Sequence, residues 1–147
     1  ELERRLSRVA AHGAPNYFGP QRFGRDGANL ESVAAWTGGG ALPAEREARA
    51  FVLSAARALA FNALLASRVQ AGSWDRLLPG EVVSLDGTAS VFVAEEIDSG
   101  LEARCATGDV HPSGPLPGRG GLQPAREAGA VEAAALAPLA ALVAALS

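Results

Sequence analysis

Asn16 and Phe18 are the residues whose types and spacing are best suited to bind a planar ligand. An asparagine amide presents a donor and an acceptor, which matches the hydrogen-bonding edge of a nucleobase. A phenylalanine ring offers a flat face, and stacking on it is worth about 1–3 kcal/mol per base. Side chains two residues apart in an extended segment point to the same side. The pair therefore predicts a site for one flipped-out base. The plainer interpretation is a core ring beside an asparagine that caps a turn.

These residues lie in the run Pro15-Asn16-Tyr17-Phe18-Gly19-Pro20-Gln21-Arg22-Phe23-Gly24. The run is rich in aromatic residues, although aromatic residues make up only 5% of the chain. Glycine and proline interrupt it too often for a regular helix. We predict a short extended segment whose glycines let a flat ring or another backbone approach closely.

No other group of residues predicts a self-contained catalytic centre. His12 and His111 are far apart, and neither has a carboxylate at metal-ligand spacing, so no metal site is expected. Cys105 is the single cysteine and is interpreted as a small, half-buried apolar residue. The run Gly118-Arg119-Gly120-Gly121 could cradle a phosphate through its backbone N–H groups, but a plain turn is the simpler interpretation.

The composition favours a globular protein and does not by itself indicate nucleic acid. Hydrophobic residues make up 48% of the chain, too high a fraction for a disordered segment. All 13 basic residues are arginines, which pair well with phosphates, yet the net charge is −3. No apolar run is expected to reach membrane-spanning length, and the first residues are not a secretory signal. A soluble cytoplasmic protein is expected.

Helical periodicity predicts most of the regular structure. Apolar residues at helical spacing predict a helix of about three turns before Gly13, with one face packed on another element, which is expected to be a sheet outside this chain. A short helix is expected over residues 30–36, capped by Asn29 and followed by a triple glycine. The strongest pattern runs from Pro43 to Gln70 and predicts a centrally buried helix. Its apolar face is expected to contain Phe51, Val52, Ala55, Ala58, Leu59, Leu65 and Val69.

A small hairpin, a short helix and a long arm complete the predicted organisation. Residues 82–93 are interpreted as two strands around a tight Asp86-Gly87 turn. Asp98 predicts the cap of a short helix. Residues 110–121 hold three prolines and four glycines and are expected to form a loop or arm. Pro124 then restarts an alanine-rich helix.

The run around Asn16 and Phe18 resembles the Asn-Tyr-Phe-Gly-x-Gln-Arg-Phe-Gly motif of the TruD-type tRNA pseudouridine synthases. Later segments are similar to segments of the same family, in the same order. They are residues 53–62, 78–81, 92–94 and 108–118. The likeness covers nearly the whole chain.

This resemblance implies a bacterial-type enzyme that isomerises uridine to pseudouridine at position thirteen of tRNA, without a metal or other cofactor. It implies a mixed α/β (α+β) chain. Residues 1–41 would belong to the catalytic pseudouridine-synthase domain, and residues 42–147 to a helix-rich insertion domain with a small β-hairpin. The expected partner is tRNA, and neither DNA nor a membrane is expected to be one.

The resemblance also implies roles for single residues. Asn16 and Phe18 match family positions that line the uridine site. Arg22 and Arg57 match recurrent family residues and, with Arg119, are candidate RNA contacts. For Arg22 and Arg57, structural pairing is the preferred interpretation.

The chain departs from the family pattern at the catalytic group. Family chemistry depends on an aspartate in a Gly-x-Lys-Asp-type motif, whereas this chain contains no lysine and none of its aspartates lies in that context. The chain is therefore expected to be an internal piece of a longer enzyme and to be inactive alone. The alternative is a stand-alone, non-catalytic module that binds RNA or a protein partner.

Overall fold

Helices make up most of the computed structural model, which describes residues 1–115, 117–118 and 120–147. The helices are α1 (Leu2–His12), α2 (Ala28–Thr37), α3 (Arg46–Gln70), α4 (Ser99–Ala106), α5 (Arg126–Leu136) and α6 (Ala140–Leu146). The strands are β1 (Glu81–Leu85), β2 (Val91–Ala94) and β3 (Val110–Pro112). The expected mixed α/β class is therefore confirmed.

The chain divides into two compact units, each assembled from segments that are distant in sequence. The first unit consists of Glu1–Asn16, Leu65–Ser113 and Leu122–Gly129. The second unit consists of Tyr17–Leu64, Gly114–Gly121 and Ala130–Ser147. The boundary expected after residue 41 falls inside the second unit. As a division between catalytic and insertion domains, it stays a prediction.

A three-stranded antiparallel sheet with the order β2-β1-β3 organises the first unit. Val83 in β1 lies opposite Phe92 on one side and Pro112 on the other. Val83 and Val110 are fully buried, as suits β-branched side chains on a pleated surface. Leu77 and Ala94 complete this core. The two strands predicted around the Asp-Gly turn are confirmed, although their connection is longer than a tight turn and covers residues 86–90.

The expectation of a loop or arm over residues 110–121 is wrong at its start. Val110–Pro112 forms β3, in which Val110 pairs with Leu85 and His111 with Ser84. An unpaired strand edge exposes backbone N–H and C=O groups, and β3 satisfies those of β1. A proline is tolerated here because β3 is an edge strand. Three residues are too few for periodicity to reveal a strand.

The helix α1 forms as predicted, but its apolar stripe is not packed. Leu2, Leu6 and Val9 are 69%, 59% and 51% exposed. The sheet expected to cover this face would lie outside these residues, and its presence stays a prediction.

The second unit is built around the first part of α3. Its buried core consists of Val33, Val52, Ala55, Ala56, Ala60, Leu136, Leu142 and Leu146. The prediction of a buried long helix is confirmed, because its central alanines are inaccessible to solvent. The predicted apolar face is wrong at Phe51 and Val69, which are exposed. Packing follows the narrow alanine side of the helix, where neighbouring helices can approach closely, and both larger residues lie outside it.

Of the two helix caps predicted from the sequence, one is present and the other is not. Asp98 caps α4 as predicted, since its carboxylate accepts the Leu101 N–H at 2.8 Å. Asn29 does not cap α2. The helix begins at Ala28, two residues earlier than predicted, after Gly27, whose φ of +80° is easily reached only by glycine. Asn29 instead donates from its amide to the Arg22 carbonyl, at 3.5 Å.

Two helical stretches, Arg46–Gln70 and Arg126–Leu146, are long and apolar enough to cross a membrane by length and composition alone. The expectation that no apolar run reaches this length is therefore wrong. The second stretch continues through Pro138, where the sequence pattern breaks, because Ala137–Leu139 forms a 3-10 turn. Core helices of soluble proteins meet the same criterion, so the finding is weak support for a membrane span.

Candidate functional site

The segment around Phe18 has no regular secondary structure up to Gly19 and forms a 3-10 turn after it. Gly19 is extended, with φ −79° and ψ 172°, whereas Pro20–Phe23 forms one 3-10 turn. The fixed φ of proline favours the start of such a turn. The prediction of an extended run is therefore wrong for residues 20–23 and is confirmed at Gly19.

Asn62 holds the backbone of Phe18 through two hydrogen bonds. The Phe18 N–H donates to Asn62 Oδ1 at 3.0 Å, and Asn62 Nδ2 donates to the Phe18 carbonyl at 3.0 Å. One side-chain amide thus pairs with both backbone polar groups of the residue. These bonds fix the place from which the Phe18 side chain projects.

The ring of Phe18 is half-buried and packs against Phe61. The ring centroids are 5.2 Å apart at an interplanar angle of 75°, an edge-to-face arrangement that suits the ring quadrupoles. Gly114 approaches Phe61 so closely that a Cβ at this position would lie 2.6 Å from the ring. Phe61 therefore lies between the Phe18 ring and the backbone of Gly114.

Arg22 covers one face of the Phe18 ring. Its guanidinium carbon is 5.1 Å from the ring centroid, and its Nη1 donates to Ser54 Oγ at 2.9 Å. A guanidinium carries five N–H donors, and this is the single hydrogen bond of the Arg22 side chain among the described residues. A base that stacks on Phe18 must use the opposite face or displace Arg22.

The other two candidate RNA contacts differ from Arg22. Arg57 is half-buried on α3, and its Nε donates to the Pro117 carbonyl at 2.9 Å. This contact is a structural pairing. Arg119 lies outside the described residues. RNA contact by Arg22, Arg57 or Arg119 stays a prediction.

Asn16 is exposed at the end of the first segment of the first unit, whereas Phe18 belongs to the second unit. Within the described residues, no hydrogen bond engages the Asn16 side chain, so Asn16 does not cap a turn. Its donor and acceptor are available to a ligand. That Asn16 and Phe18 grip the same base stays a prediction.

The sequence analysis missed a buried ion pair in the first unit. Arg68 and Glu81 are only 4% and 3% exposed, and Arg68 Nη1 donates to Glu81 Oε2 at 2.6 Å. Burial raises the pKa of the Glu81 carboxyl above its ordinary value, and the nearby Arg68 charge offsets part of this rise. The signal in the sequence was a lone arginine in the apolar second half of α3, a position where charge needs a partner.

The remaining titratable candidates show no catalytic arrangement. His12 ends α1, and His111 Nε2 lies 3.1 Å from Asp86 Oδ1 at the surface. Cys105 is half-buried beside the first core, as predicted, and burial raises the pKa of its thiol. In the described ranges, no three His, Cys, Asp or Glu side chains are grouped so that they could hold a metal ion.

The first unit contains an open pocket of about 540 Å3. Arg5, Arg8 and His12 line it from α1, and Trp74 and Asp75 line it from the segment after α3. Charges of both signs face this pocket, so it shows no clear preference for an anion. Of the predicted site residues that the structure describes, none lines it.

Comparison with known proteins identifies relatives that match most of the chain. The sequence model of the family described as tRNA pseudouridine synthase D (TruD) matches residues 40–140. A tRNA pseudouridine synthase D from Nitrosococcus oceani is 52% identical over 133 residues, which cover 90% of this chain and 37% of the relative. The corresponding protein of Xanthomonas euvesicatoria is 47% identical over 148 residues, covering 92% of this chain and 40% of the relative. That of Aeromonas salmonicida is 44% identical over 139 residues, covering 95% and 39%.

The chain thus belongs to the tRNA pseudouridine synthase D (TruD) family. The resemblance seen in the sequence is confirmed. The chain spans about two fifths of the length of these relatives.

Proposed function

We propose that this chain is part of an enzyme that isomerises uridine to pseudouridine in tRNA, at position thirteen. The identity of 52% to a relative named tRNA pseudouridine synthase D is the observation that carries this proposal. The enzyme acts on tRNA in the cytoplasm, with neither DNA nor a membrane as a partner. Residues 1–41 belong to its catalytic domain, and residues 42–147 to an insertion domain.

In this proposal, Phe18 stacks on the target uracil and Asn16 hydrogen-bonds to its edge. An enzyme that acts on a paired or stacked base must first extrude it, at a cost of a few kcal/mol. The half-buried ring of Phe18, held at its backbone and along one edge, is suited to receive such a base. The amide of Asn16, which has no hydrogen-bond partner within residues 1–115, 117–118 and 120–147, can supply the hydrogen bonds.

The catalytic aspartate is proposed to lie outside these 147 residues, because no aspartate here lies in a lysine-aspartate context. The test compares the purified 147-residue chain with the longer protein that contains it, on unmodified tRNA. We expect pseudouridine from the longer protein alone. Pseudouridine formed by the 147-residue chain would refute the proposed location of the aspartate. RNA binding without product by the longer protein would favour a non-catalytic module instead.

The role of Phe18 is tested in the longer protein by Phe18→Ala, with Phe51→Ala as the matched control. Loss of a stacking interaction of about 1–3 kcal/mol lowers kcat/KM by roughly five- to 150-fold. Phe51 is an exposed phenylalanine of the same unit, so its truncation should leave kcat/KM unchanged. Equal kinetics for Phe18→Ala and the unaltered protein would remove Phe18 from the site.

A further inference from the structure

We propose that Asn62 is a positioning residue of the uridine site, which acts through the backbone of Phe18; this inference rests on the proposed function. Its two hydrogen bonds, both 3.0 Å long, join residues that are 44 positions apart in the chain. Asn62 occupies both backbone groups of Phe18 and leaves the Phe18 ring to the ligand.

Asn62 is suited to its position by the hydrogen bonds of its side chain and not by its helix propensity. Asparagine is a poor residue for a helix interior, because its side chain competes for backbone hydrogen bonds. Asn62 is nevertheless the single polar residue between Arg57 and Ser67 on α3. It is half-buried, and both polar ends of its amide are used by Phe18.

The helix α3 restrains the Phe18 segment at three points. Ser54 accepts a hydrogen bond from Arg22, which lies over the Phe18 ring, and Phe61 packs against that ring. Asn62 holds the backbone. Residues seven and eight positions apart lie on the same side of a helix, so one rigid surface of α3 carries all three contacts. Such support from a regular element holds a binding side chain in its productive geometry.

A double-mutant cycle in the longer, active protein tests this role. Asn62→Ala is expected to lower kcat about tenfold, because two hydrogen bonds that orient the ring are lost. KM should change little, since contacts with phosphates dominate the affinity for RNA. In the Phe18→Ala background, Asn62→Ala should cause no further loss, because the group that it positions is gone. Independent, multiplicative losses would show a general structural role and overturn the proposal.

Two further variants keep the test decisive. Asn29→Ala removes the other asparagine contact of this segment, a 3.5 Å bond to the Arg22 carbonyl, and is expected to leave kcat unchanged. If Asn62→Ala does not fold, Asn62→Asp replaces it in the cycle. The aspartate keeps the acceptor for the Phe18 N–H, but it places an oxygen in place of the donor to the Phe18 carbonyl, so a loss of kcat is again expected.

The two hypotheses fail in different ways. If the unaltered longer protein forms no pseudouridine, the proposed function is wrong. If it is active and Asn62→Ala keeps its kcat, the positioning role alone is wrong.

Discussion

Arg68 in the first unit and Arg22 in the second are both held by their own unit, but in opposite ways. Arg68 is 4% exposed and makes four hydrogen bonds, two to the Ser73 carbonyl and one each to the Arg76 carbonyl and Glu81. Arg22 is exposed and has one hydrogen bond and one aromatic contact.

The difference separates a structural arginine from one that can take part in binding. The donors of Arg68 are nearly saturated and its charge is compensated by a buried carboxylate, so none of it can reach a phosphate. Arg22 keeps donors without a partner among the described residues, beside a ring suited to stacking. Composition treats all 13 arginines alike, whereas burial and hydrogen bonding distinguish them.

The largest expected effect is the loss of the Arg68–Glu81 ion pair. Glu81→Gln leaves the Arg68 charge buried without its counter-charge, which costs about 3–5 kcal/mol of the free energy of unfolding. Urea denaturation measures this loss. Glu96→Gln, which removes an exposed ion pair with Arg126, is the control and should cost at most about 1 kcal/mol. A similar small loss for both variants would show that the buried pair is not structural.

A larger residue beside the Phe18–Phe61 contact is expected to destabilise the second unit. Gly114→Ala places a methyl group 2.6 Å from the Phe61 ring and is expected to cost about 1–3 kcal/mol of the free energy of unfolding. Gly100→Ala is the control, because its Cβ would come no closer than 3.3 Å to a neighbouring atom, a side-chain oxygen of Asp98. Thermal unfolding compares the two variants. A neutral Gly114→Ala would mean that Phe61 is free to move.

Substitution of Arg22 tests its side of this contrast. Arg22→Met should cost no more than about 1 kcal/mol of stability, the value of an exposed cation–π contact. In the longer protein, tRNA binding should also depend less on salt. The slope of log K against log salt concentration should become smaller by about 1, as expected for the loss of one phosphate contact. Arg104→Met, which removes an exposed arginine paired with Asp109, should leave that dependence unchanged. An unchanged dependence for Arg22→Met would assign Arg22 to structural pairing alone.

The smallest expected effect is the dependence on pH of the stability that Glu45 contributes at the start of α3. The Ala48 and Glu47 N–H groups donate to the Glu45 carboxylate and lower its pKa below the ordinary value of 4.5. The stabilisation from the ionised carboxylate is present above pH 4.5 and is lost as the pH falls through the lower folded pKa. Glu45→Ala should therefore be less stable than the unaltered protein near neutral pH, and equally stable in strong acid.

Thermal unfolding at several pH values measures this difference. A difference between Glu45→Ala and the unaltered protein that persists in strong acid would contradict the assignment of the effect to the ionised carboxylate.

The sequence by itself determined the local elements and the family. Helical periodicity located α1 and α3, the Asp-Gly pair located the hairpin, and Asp98 located the start of α4. These features depend on hydrogen bonds and side-chain spacing within a few residues, which a single sequence displays. The motif around Phe18 indicated the family for the same reason, as a short and contiguous pattern.

Only the tertiary structure decided which distant residues meet. It added β3 to the sheet, compensated Arg68 with Glu81 and placed Asn62 against the backbone of Phe18. No periodicity connects such residues, because their contact depends on how the intervening elements pack. An asparagine or arginine within an apolar helix indicates that a partner exists, and the fold alone determines which residue it is.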